Sequence, residues 1–153
     1  MQEVTKTLSE QFPHLSFKAG RGFYWSAPTG EVVYSRSAQG DRAIWSLLHE
    51  TSHALLTHQS YGNDFELIEM EVAAWEHAKM LASQFGLPNI DEGHLQDCLD
   101  TYRDWLHKRC VCPNCGTKSL QSTAQAYRCF NCSTQWRVTP SRFCRTYRAR
   151  ISA

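Results

Sequence analysis

The sequence predicts an α+β fold that ends in a small cysteine-rich module. Three observations support this prediction. Apolar residues recur at helical spacing in several segments, β-favouring residues cluster between positions 15 and 35, and two C-x-x-C pairs lie near the C-terminus. We expect a first domain, residues 1–108, with a small antiparallel sheet and three main helices. The cysteine-rich module, residues 109–153, follows it.

The first elements expected along the chain are a short helix and the sheet. Val4, Leu8 and Phe12 are spaced four residues apart, which indicates a helix over residues 1–12. Aromatic and β-branched residues then fill positions 23–25 and 32–34, and the glycines and the proline between them favour turns. These runs therefore predict short antiparallel strands.

Three longer helices are predicted at residues 42–58, 64–85 and 91–108. Glycine, asparagine and aspartate residues interrupt the chain before the first two of them. Gly86, with Pro88 beyond it, marks the end of the second helix. The third helix has a stripe of leucines at helical spacing.

The composition is that of an ordinary globular protein, but the charge is unevenly distributed. No apolar run approaches the roughly 20 residues that span a membrane, and the N-terminus lacks an apolar signal segment, so we expect a cytoplasmic protein. Residues 1–100 carry 6 Lys and Arg against 14 Asp and Glu, whereas residues 101–153 carry 10 against 1. The basic segment indicates a polyanionic partner such as DNA, or docking onto the acidic part of the same chain.

The segment His49-Glu50-Thr51-Ser52-His53 lies inside the first of the longer helices. A helix places residues i and i+4 on one face, so His49 and His53 can ligate one zinc ion. Glu50 can then accept a proton from a water that zinc has made acidic. This motif predicts a zinc hydrolase with Glu50 as its catalytic base.

A catalytic zinc site needs a third protein ligand. His58 follows His53 by five residues, about 140° around a helix, and is expected to point away. A metzincin has a glycine and a histidine where this chain has Leu56 and Gln59, so that pattern is excluded.

Glu71 is the predicted third ligand. On a helical wheel it lies at the centre of an apolar stripe, whereas Glu66, Glu69 and Glu76 lie roughly 140–160° away. A carboxylate on an apolar face is costly to bury unless it pairs or binds a metal. Two alternatives are a position at the edge of the protein and a pair with an arginine.

The segments 48–56 (LHETSHALL) and 69–78 (EMEVAAWEHA) resemble the small gluzincin-type metallopeptidases of the ImmA/IrrE group. The resemblance implies a zincin fold, His49, His53 and Glu71 as zinc ligands, and Glu50 as base. Val72 departs from the alanine usual in that group. The layout also resembles the SprT-like proteases, in which a zincin precedes a zinc ribbon, although this chain lacks their Gly-His-Gly type loop. Together the resemblances cover residues 40–135.

The C-terminal module is organised around four cysteines in two pairs: Cys112, Cys115, Cys129 and Cys132. Four thiolates fill a tetrahedral zinc shell and leave no open position, so this zinc is expected to be structural. So short a module needs such a metal to fold, and it resembles a zinc ribbon. Of the other cysteines, Cys98 is expected in the core and Cys144 is unassigned. Cys110 is an alternative to Cys112 as a ligand, but Cys112 has the two-residue spacing from Cys115 that the pair requires.

Basic and aromatic residues are interleaved in and around the module, which favours nucleic-acid binding. The alternative is a solvated basic face with the aromatics in a small core. The residues are Arg103, Lys108, Arg109, Lys118, Arg128, Arg137, Arg142, Arg145, Arg148 and Arg150, with Tyr127, Phe130, Trp136, Phe143 and Tyr147.

The sequence therefore predicts a zinc-dependent endopeptidase with two zinc ions, a protein or peptide substrate, and a basic ribbon that recruits it, with DNA as the candidate partner. The alternative is a nucleic-acid-associated regulator that keeps a zincin scaffold without hydrolysis; a third hypothesis is hydrolysis of a non-peptide amide. Residues 23–26 or 31–35 are candidate edges for substrate. The sequence does not select the residue that stabilises the oxyanion, and the candidates are Tyr34, His58, Tyr61 and His77.

Overall fold

The computed structural model describes residues 1–123, 125–139 and 146–151, which form four helices and two small sheets. The predicted α+β class is confirmed. The chain divides into two compact units, one made of Met1–Ser60 and Met70–Leu95 and the other of Tyr61–Glu69 and Gln96–Ala153. The domain boundary that the sequence places after residue 108 stays a prediction. No helix in the described ranges has both the length and the apolar character needed to cross a membrane.

The helices begin and end close to their predicted positions. They are α1 (Gln2–Gln11), α2 (Asp41–Leu55), α3 (Asp64–Gln84) and α4 (Glu92–Cys110). Helix α2 ends three residues earlier than expected, which matters for His58. The start of α3 is well fixed, because Asn63 Oδ1 accepts hydrogen bonds from the N–H groups of Phe65 and Glu66, each at 3.0 Å.

The first unit contains a three-stranded sheet of β1 (Ser16–Gly20), β2 (Tyr24–Ser26) and β3 (Glu31–Ser35) in the order β1-β3-β2. Strand β2 is antiparallel to β3, but β1 is parallel to it. The prediction of an antiparallel sheet is therefore wrong for one pairing. Local sequence indicates where the strands are. Their pairing depends on the tertiary fold, which inserts β3 between β1 and β2.

The position of β3 at the centre of the sheet explains its burial. Val32, Val33 and Tyr34 are all buried, as expected for a strand covered on both faces. Because β3 is paired on both sides, residues 31–35 offer no free edge, and that half of the substrate-edge expectation is wrong. Leu8 of α1 and Leu47 of α2 complete a core in which each large side chain contributes about 1.5–3 kcal/mol.

The second unit contains a four-stranded sheet in the order β4-β5-β6-β7, antiparallel throughout. Its strands are β4 (Gln121–Thr123), β5 (Ala126–Arg128), β6 (Gln135–Val138) and β7 (Arg148–Arg150). The Tyr127 ring stacks on the buried Trp136 ring at a centroid distance of 5.4 Å. The apolar cluster around them is small and includes cysteine side chains, so the module depends on the cysteines for much of its order.

Candidate metal centres

Helices α2 and α3 bring His49, His53 and Glu71 together in the first unit. The two imidazole Nε2 atoms lie 3.1 Å apart, and Glu71 Oε2 lies 3.2 Å from His49 Nε2 and 3.6 Å from His53 Nε2. All three residues are buried. The two histidines meet because they are one helical turn apart, and the carboxylate arrives from the centre of the apolar stripe of α3.

The spacing of these three atoms fits a metal ion. Ligands about 2.1 Å from a tetrahedral zinc are separated by about 3.4 Å, close to the observed distances. Glu71 Oε2 is buried, and within the described ranges it has no hydrogen bond of good geometry. A buried carboxylate oxygen that faces two imidazole nitrogens suits a cation. These three residues are thus one of two groups in the described chain that could each hold a metal ion.

The Glu71 carboxyl is strongly biased towards its charged form. Burial by itself raises its pKa, but the attraction of the nearby His49 and His53 rings outweighs burial and brings the pKa to about 2. An ionised carboxylate is the form that ligates a metal.

Glu50 lies next to His49 in the chain and contacts the sheet. The Trp25 backbone N–H donates a 2.8 Å hydrogen bond to Glu50 Oε2. Trp25 lies on β2, which is paired with β3 on one side only, so this N–H belongs to an edge of the sheet. The carboxylate of Glu50 is therefore held beside a strand edge that no other described strand covers, a contact that the sequence did not predict.

His58 is, as expected, not among the three residues that could hold the metal, but it does not point away: it contacts His53. Their Nδ1 atoms lie 2.8 Å apart, at hydrogen-bond distance. The helical wheel fails here because α2 ends at Leu55 and Thr57 adopts a left-handed conformation, with φ of 55°, that turns the chain back. The His58 carbonyl accepts a 2.7 Å hydrogen bond from the Trp25 indole, which fixes this turn.

The other candidate oxyanion donors have different surroundings. Tyr34 lies in the hydrophobic core, and His77 Nδ1 lies 3.1 Å from Ser52 Oγ. Tyr61 belongs to the second unit. An aromatic neighbour that the sequence did not identify is Trp75, whose ring stacks on His49 at 4.2 Å.

The second candidate centre consists of the four cysteines of the ribbon. The sulfur atoms of Cys112 and Cys132 lie 3.6 Å apart, and those of Cys115 and Cys129 lie 3.5 Å apart. Sulfurs bound to a tetrahedral zinc at about 2.3 Å are separated by about 3.8 Å. The four side chains therefore form a cluster compatible with a zinc ribbon.

The two halves of this cluster have equivalent local structures. The N–H groups of Gly116 and Ser133 each donate a 3.0 Å hydrogen bond to the carbonyl of the first cysteine in their pair, and both residues have positive φ, 74° and 59°. Thr134 Oγ1 lies 3.2 Å from Cys132 Sγ, and hydrogen bonding from Thr134 lowers the pKa of that thiol to about 5. A thiolate at this position is ready to bind a metal.

The remaining cysteines lie outside this cluster. Cys110 Sγ faces the His107 carbonyl at 3.5 Å, and burial raises the pKa of its thiol. It is not among the four cysteines that could hold a metal together, a group that includes Cys112. Cys98 is half-buried on α4, and Cys144 lies outside the described residues.

Several residues that the sequence predicted to bind nucleic acid are buried. Arg109, Tyr127 and Trp136 are 1%, 2% and 0% exposed, so they are unavailable to a partner, and this part of the expectation is wrong. Arg142, Phe143 and Arg145 lie outside the described residues. The exposed members are Lys108, Lys118, Arg128, Phe130, Arg137, Tyr147, Arg148 and Arg150, together with Arg103.

Arg109 is buried because it forms a polar network with Asp64. Its Nη2 lies 3.1 Å from Asp64 Oδ1, and its Nε donates to Asp64 Oδ2 at 3.2 Å. The Tyr127 hydroxyl donates to the same carboxylate. Burial and this hydrogen bond raise the pKa of Tyr127, which keeps it a donor. Arg109 also donates to the Thr139 carbonyl at 2.8 Å.

Comparison of the chain with protein-family models, curated proteins and solved structures finds no match in any of the three.

Proposed function

We propose that this protein is a zinc-dependent endopeptidase of the zincin type, with a catalytic zinc at His49, His53 and Glu71. One observation carries the proposal. Three buried donor atoms converge at separations of 3.1–3.6 Å, and the carboxylate of Glu50 lies one residue away on the same helix. Two histidines and a carboxylate leave a position open for water, which is the arrangement of a catalytic zinc. Within this proposal, the first unit is a minimal zincin.

When bound, zinc supplies a Lewis acid that polarises a carbonyl and makes a water acidic near neutral pH. Glu50 is the group that takes the proton at its carboxylate. The hydrogen bond from the Trp25 N–H orients this carboxylate and leaves its other oxygen available. Hydrogen bonding between His58 and His53 orients the His53 ring so that Nε2 faces Glu71.

The edge of β2 is our candidate for the substrate-binding strand. β2 has no partner among the described strands on the side opposite β3, and its Trp25 N–H reaches Glu50 from that side. An extended peptide that added itself to this edge would pass next to the proposed base. Backbone pairing of this kind favours unfolded or extended segments over folded substrates.

The ribbon is proposed to hold a second, structural zinc and to recruit the enzyme, with DNA as the candidate partner. The chain has no aspartate or glutamate after Asp104. On β5 and β6, Arg128 and Arg137 are exposed while Tyr127 and Trp136 are buried, so the two arginines share the outer face of the sheet. A partner that uses this face should bind less tightly as the salt concentration rises.

Metal analysis of the purified full chain tests the two sites. We expect two zinc ions per chain, one in Glu71→Gln, and two in the matched control Glu69→Gln, because Glu69 is exposed on the same helix. Two zinc ions in Glu71→Gln would exclude Glu71 as a ligand.

Proteolysis of an unfolded protein such as reduced casein tests the reaction. The zinc-loaded wild type should cleave it, and Glu50→Gln should lose this activity while it keeps both zinc ions. Capture of proteins bound to Glu50→Gln would then identify substrates. If Glu50→Gln cleaves at the wild-type rate, or leaves every cellular effect intact, the function is not hydrolysis by this base and the regulator hypothesis replaces it.

A further inference from the structure

The second unit contains an apolar cavity of about 410 Å³ that neither metal site uses. Phe65 from the start of α3, Leu106 from α4, and Leu120 and Phe130 from the ribbon form its walls. Phe65, Leu120 and Phe130 are 63%, 69% and 77% exposed. Large apolar side chains that remain exposed around one concave site are typical of a binding surface.

Two polar side chains of the cavity wall, those of Asp64 and Gln121, are already engaged. The carboxylate of Asp64 is paired with Arg109 and accepts the Tyr127 hydroxyl. Gln121 Oε1 accepts the Asp64 backbone N–H at 2.8 Å. The wall is therefore suited to an apolar side chain. A nucleobase would bring edge donors and acceptors towards Asp64 and Gln121, whose oxygens already have other partners.

The net charge around the cavity is positive. Besides Asp64, the ionisable residues of the cavity wall are Arg103, His107, Lys118 and Cys110. Asp64 is 4% exposed and neutralised by Arg109. Arg103 Nη1 lies 2.6 Å from Asp100 Oδ1, so the charge of Arg103 is already paired. Lys118 is therefore the most available cation of the wall. A segment that approaches this rim is favoured if it carries carboxylates.

We propose that this cavity is a docking site for an acidic peptide segment of a partner protein, which inserts one large apolar side chain. Phe130, Phe65 and Leu120 enclose that side chain, and Lys118 attracts the flanking carboxylates. The proposal goes beyond the peptidase function and does not rest on it, because docking requires neither the first zinc nor Glu50.

Fluorescence anisotropy with the zinc-loaded full chain tests the proposal. The Glu50→Gln variant is used so that the proposed peptidase does not cut the probe. The probe is a labelled short peptide with a central tryptophan flanked on both sides by aspartate and glutamate. One control peptide has alanine in place of the tryptophan, and another has glutamine in place of the acids. A labelled oligo-dT tests nucleic acid in parallel.

Saturable binding of the acidic tryptophan peptide is expected, with at least about tenfold weaker binding of both control peptides. This corresponds to about 1.4 kcal/mol. Phe130→Ala and Lys118→Glu should each weaken binding by a similar factor. Tyr147→Ala, which removes a ring 61% exposed outside the cavity, should not.

Three outcomes would overturn the proposal. The first is no saturable binding of the acidic peptide, and the second is binding that Phe130→Ala and Lys118→Glu leave unchanged. The third is binding of oligo-dT, but not of the peptide, with sensitivity to the same two variants. Loss of casein cleavage in Glu50→Gln is a separate result, so failure of the docking proposal and failure of the peptidase proposal are distinguishable.

Discussion

Replacement of Arg109 by methionine should destabilise the second unit by about 3–5 kcal/mol. Arg109 is 1% exposed, and it faces both oxygens of the Asp64 carboxylate at 3.1 and 3.2 Å. Its guanidinium carbon also lies 4.0 Å from the centre of the Trp105 ring. Methionine retains much of the apolar stem, so the main loss is electrostatic: Asp64 remains buried without its counter-ion, which typically costs 3–5 kcal/mol.

Urea unfolding at saturating zinc, followed by tryptophan fluorescence, measures this loss, and linear extrapolation gives the free energy of unfolding. The matched control is Arg103→Met. Arg103 also forms an ion pair, with Asp100, but the side chains are 47% and 62% exposed, so its removal should cost no more than about 1 kcal/mol.

The double variant Asp64→Leu, Arg109→Met should recover much of the stability, because it leaves no lone buried charge. The reasoning would be refuted if Arg109→Met cost less than about 1 kcal/mol, or if the double variant were less stable than Arg109→Met alone.

Three further predictions concern the rest of the chain. His58→Ala should weaken zinc binding at His53 by about 10–100-fold, measured by competition with a chelator, because a ring partner of a ligand is lost; unchanged affinity would make the contact incidental. Leu8→Ala, at a fully buried position, should lower stability by about 2–5 kcal/mol in thermal unfolding, and a change within 0.5 kcal/mol would contradict the described core. Gly116→Ala should cost about 1–2 kcal/mol of stability because φ is 74° there. Ser133→Gly, at φ 59°, should be neutral or stabilising. A lower melting temperature for Ser133→Gly than for Gly116→Ala would contradict the equivalence of the two cysteine pairs.

The parts of the structure that local patterns specify could be predicted from the sequence. Helical periodicity located the helices α1 to α4 of the described residues, and the wheel position of Glu71 on α3 anticipated its burial. The spacing of the cysteine pairs predicted the cluster of four sulfurs. In each case the residues that matter lie within one element or one short motif, so their geometry follows from a known rise and turn per residue.

Features that depend on distant residues or on where a helix stops could not be predicted. The contact of His58 with His53 follows from the end of α2 at Leu55, and helix ends are uncertain by one or two residues even in a structure. Asp64, Arg109 and Tyr127 meet across 45 and 63 residues of chain. Charge composition placed Arg109 on a binding surface, because composition does not distinguish a solvated cation from a paired one.

The indole of Trp75, stacked at 4.2 Å on the His49 imidazole, gives the first candidate metal centre an intrinsic optical reporter. An excited indole at this distance is sensitive to an open-shell ion on the neighbouring ring. Replacement of zinc by copper(II) should therefore quench the emission of this tryptophan, and Trp75→Phe should remove that quenching. Loading of the proposed catalytic site with copper(II) could then be followed without a label and separately from metal that binds at the four cysteines.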